Sequence, residues 1–196
     1  MNLDEFIQTY NCKNTVIVLE GKRKVLDSDA PSLILLGEKL ATLLPLALFR
    51  SGNAEGADEL FSIGVEKVDP SRLHVLTPYS KHRARNNPDR KQYPLDTISL
   101  LKEPDLVYQS AKNQKMKSQV ERYANGVRDK SAMMAAYIIR DTAKILGTSE
   151  IGKATVALFY EDLEKPLKGG TGHTVKTCLE NNVPFFDQTT WMKWLD

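Results

Sequence analysis

The sequence has little that would connect it to a membrane, a disulfide framework or a zinc site. Only two cysteines, Cys12 and Cys178, occur among 196 residues, and they form no CxxC pair, so neither class of cysteine site is supported. No apolar run approaches the roughly 20 residues of a membrane span. The N-terminus, "MNLDEFIQTY", has early acidic residues and lacks the apolar core of a signal peptide. We therefore expect free thiols, no membrane association and a cytoplasmic location.

Charge of either sign is not in excess. Lysine and arginine total 27 and aspartate and glutamate total 25, so the net charge is only +2, too small to indicate a surface for a polyanion. Aromatic residues do not alternate with basic ones as they do in many grooves that bind single-stranded nucleic acid. The sequence thus argues against a nucleic-acid partner, although the basic clusters "GKRK" and "KHRARNNPDRK" can meet phosphates locally.

The composition is that of an ordinary soluble globular chain, and its length suits one hydrophobic core. We expect a single domain over residues 1–196. Between residues 80 and 117 the sequence shows no regular pattern of strands or helices. Prolines, asparagines and basic residues such as Arg83, Arg85 and Arg90 are mixed there with short apolar segments. This segment is predicted to be a surface excursion. It is either a lid over a ligand or a surface for self-association, and the second alternative implies a homo-oligomer.

Short β-branched apolar runs alternate with helix-like segments along the rest of the chain. Helices are expected over residues 32–44, over "AEGADELFSIGV" with Gly64 as its C-terminal cap, over 118–146 with a kink near Gly126, and over 173–180. Trp191 and Trp194 are expected to pin a short C-terminal helix to the core. The alternation predicts an α/β, Rossmann-like three-layer fold with a mostly parallel sheet of five or more strands. The strand candidates are "TVIVL", "LALFRSG", "RLHVLTPY", "ATVALFY" and "VPFFD".

Three glycine-containing loops follow predicted strands. Because ligands of parallel sheets bind beyond the carboxyl ends of the strands, we expect these loops to converge on one crevice. In "SGNAEGAD", Gly52 and Gly56 would let the backbone approach a bound group, and Ser51 and Asn53 add hydrogen-bonding side chains at a helix N-terminus. Asp58 either caps that helix or binds a ligand hydroxyl. The alternative for the whole loop is an ordinary strand-to-helix turn.

The second loop, "GGTGHT", has the composition of a phosphate cradle. Gly169 and Gly170 precede the hydroxyls of Thr171 and Thr174, and all four are expected at the start of one helix. His173 has three interpretations: a hydrogen-bonding group beside a ligand, an inert surface side chain, or a catalytic acid or base. No spacing of the histidines matches a metal site.

The third loop, "EGKRK", places basic side chains directly after the first strand. Gly21 ends the strand, and Lys22 and Arg23 can neutralise a phosphate; the alternative is a solvated run of charges. Arg140 lies on a predicted helix among apolar residues, where it is either held in a salt bridge near Asp141 or reaches the crevice. These loops together predict a site for a phosphate-bearing ligand.

The glycine loops resemble those of the SLOG superfamily of Rossmann-like proteins, which includes the Lonely Guy nucleotide phosphoribohydrolases, the DNA-processing protein A family and many small bacterial and phage members. "EGKRK" looks like the superfamily's G-[ST]-R turn, with Lys22 in place of the small residue. "IIRDTAKIL" is similar to its R-N-x-x-[ML] segment, with Asp141 in place of asparagine. The resemblance covers about residues 15–187, apart from 80–117, and implies a nucleotide or nucleotide-derived ligand at the strand ends.

The resemblance also bears on catalysis. The phosphoribohydrolase branch carries PGGxGTxxE, and the position of its glutamate is occupied here by Lys176, which cannot supply carboxylate chemistry. The first hypothesis is therefore binding of a phosphate-bearing nucleotide or nucleotide-derived signal, as a sensor or sequestering module, with no cofactor. An N-glycosidic nucleotide hydrolase is the second hypothesis, and a single-strand DNA binder is the third.

Overall fold

The computed structural model describes residues 1–83 and 90–195 of the chain. Within these residues, strands form a six-stranded, all-parallel sheet in the order β4-β3-β2-β1-β5-β6. The strands are β1 Val16–Gly21, β2 Leu48–Ser51, β3 Leu73–Thr77, β4 Lys91–Pro94, β5 Val156–Tyr160 and β6 Phe185–Asp187. The helices are α1 Leu3–Tyr10, α2 Ala30–Leu43, α3 Ala57–Glu66, α4 Pro104–Ala111, α5 Lys117–Ala124, α6 Lys130–Leu146, α7 Gly169–Glu180 and α8 Gln188–Trp191.

Helices cover both faces of this sheet, so the predicted three-layer α/β fold is confirmed. The central strands β1, β3 and β5 are buried along their whole length, which explains why they are apolar without alternation. Helices α1, α2, α3 and α8 pack on one face around Phe6, Leu36, Phe61 and Trp191. Helices α4, α5 and α6 cover the other face, and α7 packs beside α6.

The order of the strands fixes where a crevice can form. From β1 the chain adds β2, β3 and β4 in succession on one side, and then crosses back to place β5 on the other side of β1. The strand order therefore reverses between β1 and β5. Loops leaving these two strands diverge above the sheet, and this is the place where ligands of such folds bind.

Glycine 64 is not the C-terminal cap predicted from the sequence. Helix α3 continues to Glu66, and Gly64 lies inside it. A Cβ atom there would lie 2.0 Å from the carbonyl oxygen of Ile34 and 3.0 Å from the Cα atom of Gly37. Gly37 and Gly64 thus allow α2 and α3 to pack at short distance, so the glycine serves helix packing instead of helix termination.

The predicted boundaries were also wrong in three other places. The interval 80–117 is not irregular throughout, because it contains β4 and α4; Arg85 lies outside the described residues. The single helix over 118–146 is two helices, α5 and α6, separated at residues 125–129. Helix α7 begins at Gly169 and not near His173, so the glycines form its first turn.

The two chain ends pack together on one face of the sheet. Helix α1, which the sequence reasoning missed, begins with a capping box in which Asn2 and Glu5 exchange hydrogen bonds. Trp191 and Trp194 are buried, as expected, and the ring of Trp194 lies 4.7 Å from that of Phe6. Over the described part of the chain, no helix combines the length and the apolar character needed to cross a membrane.

Candidate ligand-binding crevice

A cavity of about 550 Å³ opens at the reversal point of the strand order. It lies above the carboxyl end of β1, between α6 and the first turn of α7. We call it the crevice. Its lining consists of Glu20, Gly21, Lys22, Arg23, Ala54, Asp58, Met116, Met134, Tyr137, Ile138, Arg140, Asp141, Lys168, Gly169, Gly170 and Thr171.

One wall of the crevice is apolar. Met134, Tyr137 and Ile138 come from successive turns of α6, and Met116 precedes α5. Met134 is 56% exposed, although methionine is normally buried in a core. Flat apolar surface of this kind can pack against an aromatic ring of a ligand.

The opposite wall is the N-terminus of α7. Lys168 is the N-cap residue and makes no side-chain capping bond. Within the described chain, the amide N–H groups of Gly169, Gly170 and Thr171 have no hydrogen-bond acceptor, whereas Gly172 donates to the carbonyl of Lys168. Unsatisfied amides and the helix dipole favour an anion at such a position.

The turn after β1 brings two basic residues to the same opening. The amide of Lys22 donates to the carbonyl of Tyr160, and its Nζ atom lies 4.9 Å from the centre of the Tyr160 ring. Arg23 lies against Gly56, whose φ is +82°; a Cβ atom at this glycine would lie 2.1 Å from the carbonyl oxygen of Arg23. Gly56 therefore allows the turns after β1 and β2 to touch, which is a structural role.

The floor of the crevice is a buried network of charges. Lys144, which is fully buried, forms ion pairs with Glu20 at 2.7 Å and with Asp141 at 3.0 Å. Arg140 pairs with Asp141 at 2.6 Å and donates to the carbonyl of Gly52. Both interpretations of Arg140 therefore apply: it is held in a salt bridge and it lines the crevice.

Burial and neighbouring charges act in opposite directions on these groups. Burial raises the pKa of Glu20 to about 8, although Lys144 opposes this effect. Burial would also raise the pKa of Asp141, but Arg140 and Lys144 outweigh it and lower that pKa to about 2. Burial alone would lower the pKa of Lys144; Asp141 and Glu20 reverse this and raise it. Lys144 and Asp141 are thus charged at neutral pH.

Asp58 joins the ends of two strands instead of capping α3. Its two carboxylate oxygens accept from the amides of Gly21, at 3.1 Å, and Gly52, at 3.0 Å. Its side chain makes no capping bond to α3. Asp58 lines the crevice, and its predicted alternative role with a ligand hydroxyl stays a prediction.

Most of the loop after β2 lies behind the residues that line the crevice. Of this segment, Ala54 and Asp58 belong to the lining, whereas Ser51, Gly52, Asn53 and Gly56 lie outside it, so their role in binding a ligand stays a prediction. Ser51 accepts from the amide of Asn53. Asn53, at φ +55°, bonds the carbonyl of His82 and the side chain of Arg90.

Two residues of the "GGTGHT" segment also lie away from the crevice. Thr174 is fully buried and donates its hydroxyl to Glu20 at 3.0 Å. The ring of His173 lies on another side of α7, and its Nε2 atom is 2.8 Å from the hydroxyl of Thr142. The prediction that the hydroxyls of Thr171 and Thr174 share one cradle is therefore wrong, and His173 is not an exposed surface side chain.

The sequence reasoning missed several members of the site. Glu20, which lines the crevice, and Lys144, which pairs with it beneath the lining, are charged residues in otherwise apolar segments, and charge at a buried position is a signal that could have identified them. The apolar residues of α6 were used only to predict a helix, since helical spacing alone does not separate a core face from a ligand face. No cluster of three or more His, Cys, Asp or Glu side chains that could hold a metal ion occurs among the described residues.

Comparison with solved structures supports the α/β architecture described above. Neither a scan of protein-family models nor a search of curated protein sequences finds a match. Among solved structures, the chain is similar to DNA processing protein A from Helicobacter pylori, with a TM-score of 0.54 and 15% identity over 95% of this chain and 68% of that one. The published description of that structure concerns its single-stranded DNA binding mode. The chain therefore shares the Rossmann-like α/β fold of that protein.

Proposed function

We propose that the crevice binds a phosphate-bearing nucleotide or a nucleotide-derived signalling molecule, and that the chain acts as a binding module of the SLOG type. The observation that carries this proposal is the first turn of α7. Its three unsatisfied amides, of Gly169, Gly170 and Thr171, border the same cavity as Lys22 and Arg23. This arrangement supplies more anion-binding capacity than a structural turn requires.

The chemistry of the two walls supports an orientation. A phosphate would lie at the N-terminus of α7, where the amides and basic side chains meet. A base would lie against Met134, Tyr137 and Ile138, which form the apolar wall. The volume of about 550 Å³ falls in the range of roughly 300–1,000 Å³ that is usual for small-molecule sites.

Thermal-shift screening tests this proposal. The panel contains nucleoside monophosphates, cyclic nucleotides and ADP-ribose, with inorganic phosphate and unphosphorylated nucleosides as comparisons. A ligand at a hundred times its dissociation constant should add about 2.7 kcal/mol of stability. The Arg23→Ala variant should weaken the shift, and Lys13→Ala, a charge change before the amino end of β1, should leave it unchanged. If every phosphorylated compound is inert, the first turn of α7 is purely structural.

Single-strand DNA binding is a second candidate, and the structural likeness to DNA processing protein A favours it. The two functions differ in how affinity depends on chain length and salt. A strand-binding surface should bind longer oligonucleotides more tightly and lose affinity steeply with salt, because each neutralised phosphate releases counterions. Fluorescence anisotropy with labelled oligonucleotides of increasing length separates the two: an affinity that does not rise beyond two nucleotides favours the first.

A further inference from the structure

A second cavity, of about 610 Å³, lies on the other side of the first turn of α7. We call it the lysine cavity. Lys168 and Gly169 line both this cavity and the crevice, so the two spaces adjoin at the N-terminus of α7. The lining of the lysine cavity consists of Gln109, Lys112, Asn113, Gln114, Lys115, Leu167, Lys168, Gly169, His173, Lys176, Thr177 and Glu180.

The lysine cavity carries an excess of positive charge. Four lysines and one acidic residue, Glu180, belong to its lining. Hydrogen bonds from Gln109 and Lys112 lower the pKa of Glu180, so this carboxylate is charged and already partnered. Among the described residues, Lys115, Lys168 and Lys176 have no acidic partner. A net charge of this sign at a concave surface attracts anions.

The floor of the lysine cavity is polar. His173 is 7% exposed, and burial lowers its pKa, so the ring is neutral at neutral pH. Its Nε2 atom lies 2.8 Å from the hydroxyl of Thr142, so the imidazole adds a polar, uncharged group to the lining.

The two cavities thus differ in the chemical group that each would accept. The crevice offers an apolar wall of Met134, Tyr137 and Ile138. The lysine cavity offers cations and amide or imidazole groups, and Leu167 is the apolar side chain that its described lining contains. Each cavity by itself has the volume of a small-molecule site, so a single mononucleotide does not fill both.

We propose that the ligand consists of two phosphate-linked nucleotide units. One unit occupies the crevice, and the phosphate of the next lies in the lysine cavity against Lys115, Lys168 and Lys176. This inference rests on the proposed nucleotide function. It also gives Lys176, which stands where the phosphoribohydrolases carry a carboxylate, a role in binding an anion. Two phosphate-linked nucleotides occur both in free dinucleotides and at the end of a nucleic-acid strand.

Isothermal titration calorimetry with the full chain tests the inference. The probes are adenosine monophosphate and the 5′-phosphorylated dinucleotide pApA. We expect pApA to bind about tenfold more tightly, the effect of one or two added charge-assisted contacts. The Lys115→Ala/Lys176→Ala double variant should lose this advantage and bind adenosine monophosphate within twofold of the unmodified chain. Both lysines are exposed, so the variant should fold.

A matched control carries Lys13→Ala and Lys153→Ala, two exposed lysines that precede the amino ends of β1 and β5. It should bind both probes like the unmodified chain. The dependence of log affinity on log salt supplies a second measurement. For pApA, the slope should become shallower by about 0.7 in the Lys115→Ala/Lys176→Ala variant, because the contact with one phosphate is lost.

The possible outcomes separate this inference from the proposed function. If both probes bind equally, or if the advantage of pApA survives in Lys115→Ala/Lys176→Ala, the inference is overturned and the mononucleotide site stands. If no phosphorylated probe binds, both are overturned. A ten-nucleotide adenine strand shows whether the natural ligand is a free dinucleotide or the end of a nucleic-acid strand. An affinity well above that of pApA indicates a strand end, and an equal affinity indicates a free dinucleotide. Both results support a ligand of two nucleotides.

Discussion

Removing the buried lysine at the floor of the crevice should strongly destabilise the fold. Lys144 is fully buried and contacts two carboxylates, Glu20 at 2.7 Å and Asp141 at 3.0 Å. At an effective dielectric constant of about 20, the attraction to the charged Asp141 is worth roughly 6 kcal/mol before the cost of desolvation, and Glu20 adds a comparable attraction only when the pH exceeds its pKa of about 8. Truncating one partner of a buried ion pair typically costs about 3–5 kcal/mol, because it leaves an uncompensated buried charge. We expect this loss for Lys144→Met.

The assay is equilibrium unfolding in urea at fixed pH. The matched control is Lys67→Met, which breaks the exposed ion pair with Glu38 at 2.9 Å. Exposed pairs contribute about 0–1 kcal/mol, so the control should change the free energy of unfolding by no more than this. A loss below about 1 kcal/mol for Lys144→Met as well would refute the argument that buried charge organises the floor.

A double-mutant cycle isolates the contact between Lys144 and Glu20. Glu20→Gln keeps the size of the side chain and removes its charge. The coupling between the two sites should be larger at pH 9 than at pH 6, because the pKa of Glu20 is raised to about 8 and the carboxylate is largely protonated at the lower pH. A coupling free energy that is the same at both pH values would contradict the raised pKa of Glu20, because it would mean that Glu20 does not titrate between them.

Three further expectations follow from the structure. The folded pKa of Glu20, about 8, lies above its ordinary value of 4.5, so its contribution to stability is present below pH 4.5 and is lost as the pH rises towards 8; Glu20→Gln should flatten this part of the stability profile in urea titrations. Gly172→Ala should cost about 1–3 kcal/mol, since its Cβ atom would lie 2.0 Å from the backbone of Leu167, whereas Gly152→Ala meets no atom within 4 Å and should be neutral by the same assay. Chromatography should detect no free base released from adenosine, guanosine or cytidine monophosphate by the unmodified chain, and activity that appears only in Lys176→Glu would support the loss of a catalytic carboxylate.

The fold could be predicted because its strands are buried on both faces. Runs such as "TVIVL" and "ATVALFY" are continuous and β-branched, and helices separate them along the chain, a combination that parallel sheets require. Strand β4 was missed because it is a four-residue edge strand, "KQYP", with no fully buried position. An edge strand of this length is recognised by its pairing with β3, which the sequence does not display.

The sequence predicted the edge of the sheet at which a cavity lies, and not the residues that line it. Glycines after strands indicated this edge, because parallel strands bring their carboxyl ends together there. The sequence could not show which side of each loop meets the ligand. Asn53 and Thr174 have the polar groups of ligand-binding residues, but the structure satisfies those groups internally with Arg90 and Glu20. Which partner satisfies a polar group depends on residues distant in the chain.

The carboxylates at the floor of the crevice all make contacts that stabilise the fold, and this limits their use in catalysis. Asp58 accepts the amides of two strand ends, Asp141 is paired with Arg140 and Lys144, and Glu20 is held by Lys144 and Thr174. Cleavage of an N-glycosidic bond needs a carboxylate free to stabilise an oxocarbenium-like centre or to activate water. A carboxylate that gives up two structural contacts to do so would lose the stability that those contacts provide. The same contacts fix the floor before any ligand arrives, which lowers the conformational cost of binding at this site.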